Sequence, residues 1–269
     1  MSTIITNNGI ADTFSIHEVA FHEAITVYEV VRIIAGVPLF LEDHFERLQN
    51  SMKIHGWQLE LEYQEFKDEI VRLIELDRQI TGNVKFEFTR NKDENNWRLF
   101  FIPHSYPTIE DYKNGVNVDL LFAERANPNA KVIQKTVRER ANQLIADKQL
   151  YEVLLVDQKG RITEGSRSNV FFVKNGVFYT APASMVLIGI TRLKVMECLV
   201  KLNFRIAEEA ISVDRIGQFD AVFLTGTSPK VLPVVRIGNL NYSASNPSVL
   251  ALIDEYNGMI NNYIENKRR

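Results

Sequence analysis

The sequence predicts an α+β fold in two domains. Three observations carry this. A β-branched, apolar run from Ala24 to Ile34 is followed by two segments with apolar residues at 3–4 spacing. The periodicity then lapses between Pro103 and Gly115, where Pro103, Pro107, Asn114 and Gly115 fall close together. Beyond the lapse, short apolar runs bounded by Gly and Asn turns alternate with helical patterns. The lapse divides the chain into a small α/β domain (1–107), a linker (108–115) and a larger second domain (116–269).

The elements follow in order. Ala24–Ile34 is a strand, turned by Ala35-Gly36 into Val37–Leu41. A helix is expected from Leu41 to Ile54, with Phe45, Leu48 and Met52 on its apolar face. A second, from Tyr63 to Gln79, carries Phe66, Ile70, Leu73 and Ile74. Thr81-Gly82-Asn83 turns into strand Val84–Arg90, and a polar turn over 91–96 leads to strand Trp97–Ile102. Strand Val116–Phe122 opens the second half. Thr136 and Glu139 have capping-box spacing, so a helix should run from Val137 to Gln149. Strands are then expected at Glu152–Val156, Ile162–Thr163, Val170–Val173 and Val177–Thr180. Helix Arg192–Leu202, strand Arg205–Glu208, a short helix at Val213–Gln218, strand Ala221–Leu224 and helix Ser248–Asn266 complete the chain.

Composition narrows the function classes. The 269 residues are 45% hydrophobic and 24% charged, as in an ordinary globular protein. A net charge of −3 offers no basic field for nucleic acid or an anionic membrane. The single cysteine, Cys198, excludes an intrachain disulfide and a multi-cysteine metal site, and its apolar helical setting suggests a buried thiol. No metal site is expected. No apolar run approaches the length of a membrane span, and residues 1–8 do not read as a secretory leader. A reducing cytoplasm is the expected compartment.

Four constellations carry chemistry. Gly189-Ile190-Thr191 opens a helix, where unpaired N–H groups and a hydroxyl suit an anion. A plain turn and N-cap is the alternative. Thr225-Gly226-Thr227-Ser228 is a second small-residue corner after a strand, and Arg47 on the first helix could add a full charge. Glu164 sits in the corner Thr163–Asn169, where Gly165 permits positive φ and Asn169 can tie the loop. Such a carboxylate could hold a ring N–H⁺ protonated, or pair with Arg167 three residues on. Finally, Lys131 follows an extended approach through Asn127-Pro128-Asn129-Ala130 and would share a strand face with Ile133 and Lys135. An amine at a strand end, partly desolvated and near cations, would have a lowered pKa and could form a Schiff base.

Lysine, carboxylate, helix start, hydroxyl corner and arginine together resemble the fold-type IV pyridoxal-phosphate enzymes. That group includes branched-chain aminotransferase, D-amino acid aminotransferase and 4-amino-4-deoxychorismate lyase. The resemblance spans nearly the whole chain. Tyr28-Glu29-Val30-Val31-Arg32 is similar to the family's first strand pair. His44-Phe45-Glu46-Arg47-Leu48 with Ser51 is similar to its H-x-x-R-L helix, whose arginine binds the cofactor phosphate. Glu164 through Asn169-Val170-Phe171 is similar to its E-x-x-x-x-N-x-F segment, whose glutamate meets the pyridine nitrogen. Leu187-Ile188-Gly189-Ile190-Thr191-Arg192 is similar to its L-x-G-I-T-R, and Gly226-Thr227-Ser228 to its second phosphate and carboxylate loop. In such families the lysine precedes that glutamate by a little more than thirty residues. This selects Lys131, with Arg125-x-x-Pro128 before it, and leaves Lys135 in reserve.

The resemblance implies a D-amino acid aminotransferase-like fold whose larger, cofactor-binding domain has a mixed, barrel-like sheet. It implies pyridoxal 5'-phosphate as cofactor and a homodimer. Lys131 would be the catalytic residue. Arg47, Glu164, Asn169, Gly189, Ile190, Thr191, Gly226 and Thr227 would bind cofactor, and Tyr28, His104 and Ser228 would lie near the substrate. The chain also departs from its relatives. The Gly-Asp-Gly common before Tyr28 is absent, and Val132-Ile133-Gln134 stands where an asparagine or tyrosine usually follows the lysine. His104-Ser105-Tyr106-Pro107 is similar to a D-amino acid enzyme's loop, but Ile102 occupies its arginine position. The expected activity is therefore transamination of an amino acid and 2-oxo acid pair, branched-chain-like before D-amino acid. The alternatives are a lyase releasing pyruvate and 4-aminobenzoate from aminodeoxychorismate, and a non-catalytic relative.

Overall fold

A computed structural model describes residues 3–11, 25–91, 94–124, 129–132 and 135–268, and the side chains of Asn91, Glu94 and Lys135 lie outside that description. The chain divides into two compact units. One comprises Met1–Ser105, Ala130–Ile133 and Ile260–Arg269, the other Tyr106–Asn129 and Gln134–Met259.

The first unit is an antiparallel sheet with helices on one face. Its elements are β1 (Ile4–Thr6), β2 (Gly9–Ala11), β3 (Thr26–Ile34), β4 (Val37–Pro38), α1 (Leu41–Ile54), α2 (Tyr63–Asp77), β5 (Gly82–Asn91) and β6 (Glu94–Ile102). The strand order is β2-β1-β6-β5-β3-β4. Period-two alternation sorts β3. Val27, Val31 and Ile33 enter the core with Phe86 and Phe88, against Leu41, Phe45, Leu48, Met52, Phe66, Ile70 and Leu73 of the helices. Glu29 lies on this same apolar side, fully buried. Tyr28 takes the opposite side of the sheet by the same alternation.

The second unit is built on a mixed, curled sheet. Its elements are α3 (Ile109–Asn114), β7 (Val116–Phe122), α4 (Lys135–Lys148), β8 (Glu152–Val156), β9 (Arg161–Gly165), β10 (Asn169–Lys174), β11 (Val177–Thr180), α5 (Ile190–Lys201), β12 (Arg205–Glu208), β13 (Ile211–Ser212), β14 (Ala221–Gly226), β15 (Lys230–Ile237), β16 (Leu240–Asn241) and the start of α6 (Pro247–Arg268). The order is β12-β11-β10-β14-β15-β7-β8-β9-β13, with β16 on β15. β11/β12, β15/β7 and β7/β8 are parallel and the other pairs antiparallel. Val170, Phe172, Val222, Leu224, Leu232 and Val234 form the centre of its core. The two-domain α+β expectation with a mixed sheet is borne out.

Several elements differ from the sequence reading. β15 was not expected, because Pro229 and Pro233 argue against a central strand. The structure tolerates Pro233 because the β7 ladder begins only at Val234, so one edge of the strand has no ladder there to break. The β1–β2 hairpin was also missed, although Asn7-Asn8-Gly9 with Gly9 at positive φ is a turn signal. The segment read as a linker holds α3, capped by Thr108, whose hydroxyl accepts from Asp111 N at 3.1 Å. Helix α4 starts at Lys135, so Thr136 lies inside its first turn and is not its N-cap. Among the described residues, no helix is long and apolar enough to cross a membrane.

Candidate active site

In the first unit, chemistry gathers where β3 meets the segment around Lys131. Val27 bridges Val132, and Tyr28 N donates to Lys131 O at 3.0 Å. Lys131 N donates to the hydroxyl of Ser51, a fully buried residue of α1, at 3.2 Å. The lysine backbone is thereby tied on both sides. Its amine stands 4.8 Å from the centre of the Tyr28 ring, and Lys85 Nζ stands 5.2 Å from the same ring.

On the other side of β3, Glu29 joins two α1 residues. Arg47 Nε donates to Glu29 Oε1 at 2.8 Å and Arg47 Nη2 to Oε2 at 2.6 Å, while His44 Nδ1 donates to Oε2 at 2.7 Å. Burial alone would push the Glu29 carboxyl up. The charge and hydrogen bonds of Arg47, with those of His44, outweigh burial and hold it down at about 2 against an ordinary 4.5. Burial also lowers His44 below its ordinary 6.5, although Glu29 pulls the other way, so the ring is neutral near pH 7. Arg47 is thus a largely buried, oriented guanidinium. The partner that orients it, Glu29, was quoted in the sequence motif without a role. A lone carboxylate on the apolar side of an alternating strand was the signal.

In the second unit, three corners converge. Glu164 is the next-to-last residue of β9 and is buried. Its Oε2 accepts from Leu187 N at 3.2 Å, while Asn169 Nδ2 donates to Leu187 O at 2.9 Å. One peptide residue, Leu187, is therefore gripped on both faces by the two polar residues that bracket the corner. Two residues later Gly189 caps α5, whose first residues are Ile190 and Thr191. Asn169 also pairs with Thr225 in the β10–β14 ladder, which brings the Gly226-Thr227-Ser228 turn to the same end of the sheet. The Thr225 hydroxyl is buried with no partner. The start of α5 and the hydroxyl corner of the second unit are a donor set that fits a phosphate, and the oriented arginine of the first unit is by itself a donor of the same kind. A buried carboxylate fits a protonated ring nitrogen.

The glycines here act through space rather than through φ. Gly165 is not at positive φ, contrary to expectation. A Cβ on it would meet Ser168 Oγ at 2.1 Å and Glu152 Cγ at 3.2 Å. At Gly189 the close neighbour is Asn169 Oδ1, 2.2 Å from where a Cβ would stand, so its smallness serves the Asn169 clamp. Gly189→Ala is accordingly expected to displace Asn169 and cost about 1–3 kcal/mol. Its denaturant midpoint should fall; an unchanged midpoint would mean that the clamp yields freely.

His104 is exposed two residues past β6, its Nδ1 3.3 Å from Ile102 O. Ser228 and Thr227 are half-buried in the β14–β15 turn. Arg167, the alternative partner for Glu164, turns its guanidinium to Asn142 and its backbone N–H to Glu152. Lys135 is the first residue of α4, so the shared strand face with Lys131 does not form. Arg125, Pro128, Ile133 and Gln134, and residues 12–24, lie outside the described residues. Cys198 is buried, and burial pushes its thiol up to about 11, which leaves little thiolate at neutral pH. Among the described residues, no group of three or more His, Cys, Asp or Glu side chains could hold a metal.

Comparison with known proteins adds a decisive match. The model of the family described as amino-transferase class IV fits residues 26–237, most of the chain. The chain belongs to the class IV aminotransferases. Within the family, it is 28% identical to the D-alanine aminotransferase of Bacillus licheniformis over 240 residues, covering 83% of each chain. It is also 28% identical over 261 residues to a Thermotoga maritima protein named "Probable branched-chain-amino-acid aminotransferase", covering 94% of this chain and 92% of that one. The branched-chain amino acid aminotransferase of Escherichia coli shares the fold, with a TM-score of 0.84 at 19% identity over 96% of this chain and 94% of the other. This class IV chain therefore carries its family's architecture on a sequence that has diverged widely.

Proposed function

We propose that this class IV chain is a pyridoxal-phosphate-dependent aminotransferase exchanging the amine of an amino acid with a 2-oxo acid, with a branched-chain-like amino acid as substrate. The observation that carries the reading is the holding of Lys131. Its amide and carbonyl are fixed by Ser51 and Tyr28, so its backbone is held and its amine stands beside the Tyr28 ring. The assignment of Lys131 and of the second unit's corners to one cofactor rests on the resemblance of their order along the chain to that of the family's motifs, within the span that the family model matches.

Pyridoxal phosphate, when bound, supplies a ring that accepts electron density from the substrate's α-carbon. The chain's own groups do the rest. Lys131 would hold the cofactor through its amine and would carry the substrate's α-proton as general base and acid. The Glu164 carboxylate keeps the proton on the ring nitrogen. Arg47, the N–H groups of Gly189, Ile190 and Thr191, and the turn at Gly226 and Thr227 bind the phosphate. Asn169 keeps Glu164 and the start of α5 in register through Leu187. Tyr28, His104 and Ser228 face the substrate. The chain works as a homodimer in the cytoplasm. The preference for a branched-chain-like substrate over a D-amino acid is supported by Ile102 at the position where the D-amino acid enzymes' loop has arginine.

A half-reaction screen tests this. Holoenzyme is mixed with L- and D-amino acids without any acceptor, and the spectrum is followed for conversion to the pyridoxamine form. Conversion by branched-chain L-amino acids is expected. Conversion by D-alanine alone would overturn the substrate assignment. Pyruvate release from aminodeoxychorismate with no acceptor present would replace transamination by the lyase reaction.

A further inference from the structure

Glu152, the first residue of β8, is a buried carboxylate with three of its four bonds directed to one loop. Its Oε1 accepts from Ser166 Oγ at 2.7 Å and from Val153 N at 2.9 Å. Its Oε2 accepts from Arg167 N at 3.0 Å and Ser168 Oγ at 3.1 Å. An ionised carboxylate has about four lone-pair directions, and here four donors meet them. Three of the four belong to the 166–168 corner. The corner is closed further by Gly165 N, which donates to Ser168 O at 2.7 Å, and by Ser166 N, which donates to Val153 O at 3.0 Å. Gly165 lies directly over the Glu152 side chain, with no room for a methyl group.

This corner sets the spacing of Glu164 and Asn169, its two flanking residues, and these grip the two sides of Leu187. Small shifts in the corner therefore move the Glu164 carboxylate relative to the start of α5. A carboxylate whose lone pairs are all used by serine hydroxyls and backbone N–H groups, inside a sheet with a large apolar core, is an expensive way to close a turn. A turn alone needs only its backbone bonds.

We propose that Glu152 is a positioning residue that holds Glu164 where it selects a cofactor with a protonated ring nitrogen. The proposal rests on the cofactor reading above. Glu152 itself touches neither cofactor nor substrate; it acts through the corner. Its loss should therefore weaken recognition of the ring nitrogen specifically, and leave phosphate binding and the attachment at Lys131 in place.

The test compares dissociation constants of the full chain for pyridoxal phosphate and for its carbon analogue, in which a C–H replaces the ring nitrogen. The wild type is expected to prefer pyridoxal phosphate, and Glu164→Gln to bring the ratio close to one. Glu152→Gln should reduce the ratio by about tenfold, with affinity for the carbon analogue changed by less than about twofold. Ser166→Ala, which removes one donor and is a gentler change to the fold, should reduce it by about threefold. The double variant Glu152→Gln/Glu164→Gln should match Glu164→Gln alone. An unchanged ratio, with both compounds weakened equally in Glu152→Gln and Ser166→Ala, would assign Glu152 to the fold alone and overturn the proposal. A wild type that binds neither compound would overturn the cofactor reading, and the role of Glu152 with it, which is a different result from a preserved ratio.

Discussion

Replacing Lys131 with alanine is expected to abolish the visible absorption of bound cofactor and lower kcat by about 10⁴-fold or more. The segment should survive the change. Its order comes from backbone bonds to Ser51 and Tyr28 and from the Val27–Val132 bridge, none of which uses the lysine side chain. The unfolding free energy should stay within about 0.5 kcal/mol of wild type, as for a side chain outside the packed core. What is lost is the amine beside the Tyr28 ring. Lys135→Ala should keep both absorption and turnover, because Lys135 opens α4 and does not extend the strand segment. Absorption that persists in Lys131→Ala and disappears in Lys135→Ala would reverse the assignment.

The second large effect is expected at Glu29. Glu29→Gln leaves Arg47 and His44 without the carboxylate that orients them, inside a site with no access to water for Glu29 itself. Removing one partner of such a buried pair costs about 3–5 kcal/mol. Denaturant unfolding at neutral pH should show this loss, and phosphate binding through Arg47 should weaken with it. The pH dependence has a definite sign. The Glu29 carboxyl is depressed in the folded chain, so its contribution is complete above the ordinary 4.5 and is lost as pH falls toward about 2. Wild type should lose about 3 kcal/mol over that interval that Glu29→Gln does not lose. His44 is lowered by burial, so its term is present above 6.5 and declines as pH falls through the folded value. Parallel acid limbs for the two proteins would show that Glu29 carries no such linkage.

Regular elements were legible in the sequence where a single period ran unbroken. The α1 boundaries Leu41 and Ile54, and strands β7, β8, β11 and β12, follow directly from spacing and turn residues. β15 was hidden because its proline, Pro233, obeys a local rule that its setting removes. The N-terminal hairpin was hidden by its shortness, since two three-residue strands carry almost no period. The site divides in the same way. Residue types at fixed order pointed to Arg47, Glu164 and the start of α5. The groups that hold them did not show, because a buried carboxylate and its partners can be far apart in the chain: Glu29 orients Arg47 from eighteen positions away, and Ser166 reaches Glu152 across fourteen. Gly165 looked like a residue needed for backbone freedom and proved to be needed for the closeness of Ser168 Oγ, and Gly189 is small for the closeness of Asn169 Oδ1.

The central claim is that Lys131 carries the cofactor of this class IV chain. Borohydride reduction of the pyridoxal-phosphate-loaded protein fixes the cofactor to the lysine that holds it, and peptide mass mapping then locates it. The account predicts one phosphopyridoxyl group per chain, on Lys131. A group on Lys135, or a label scattered over surface lysines with none on Lys131, would contradict it.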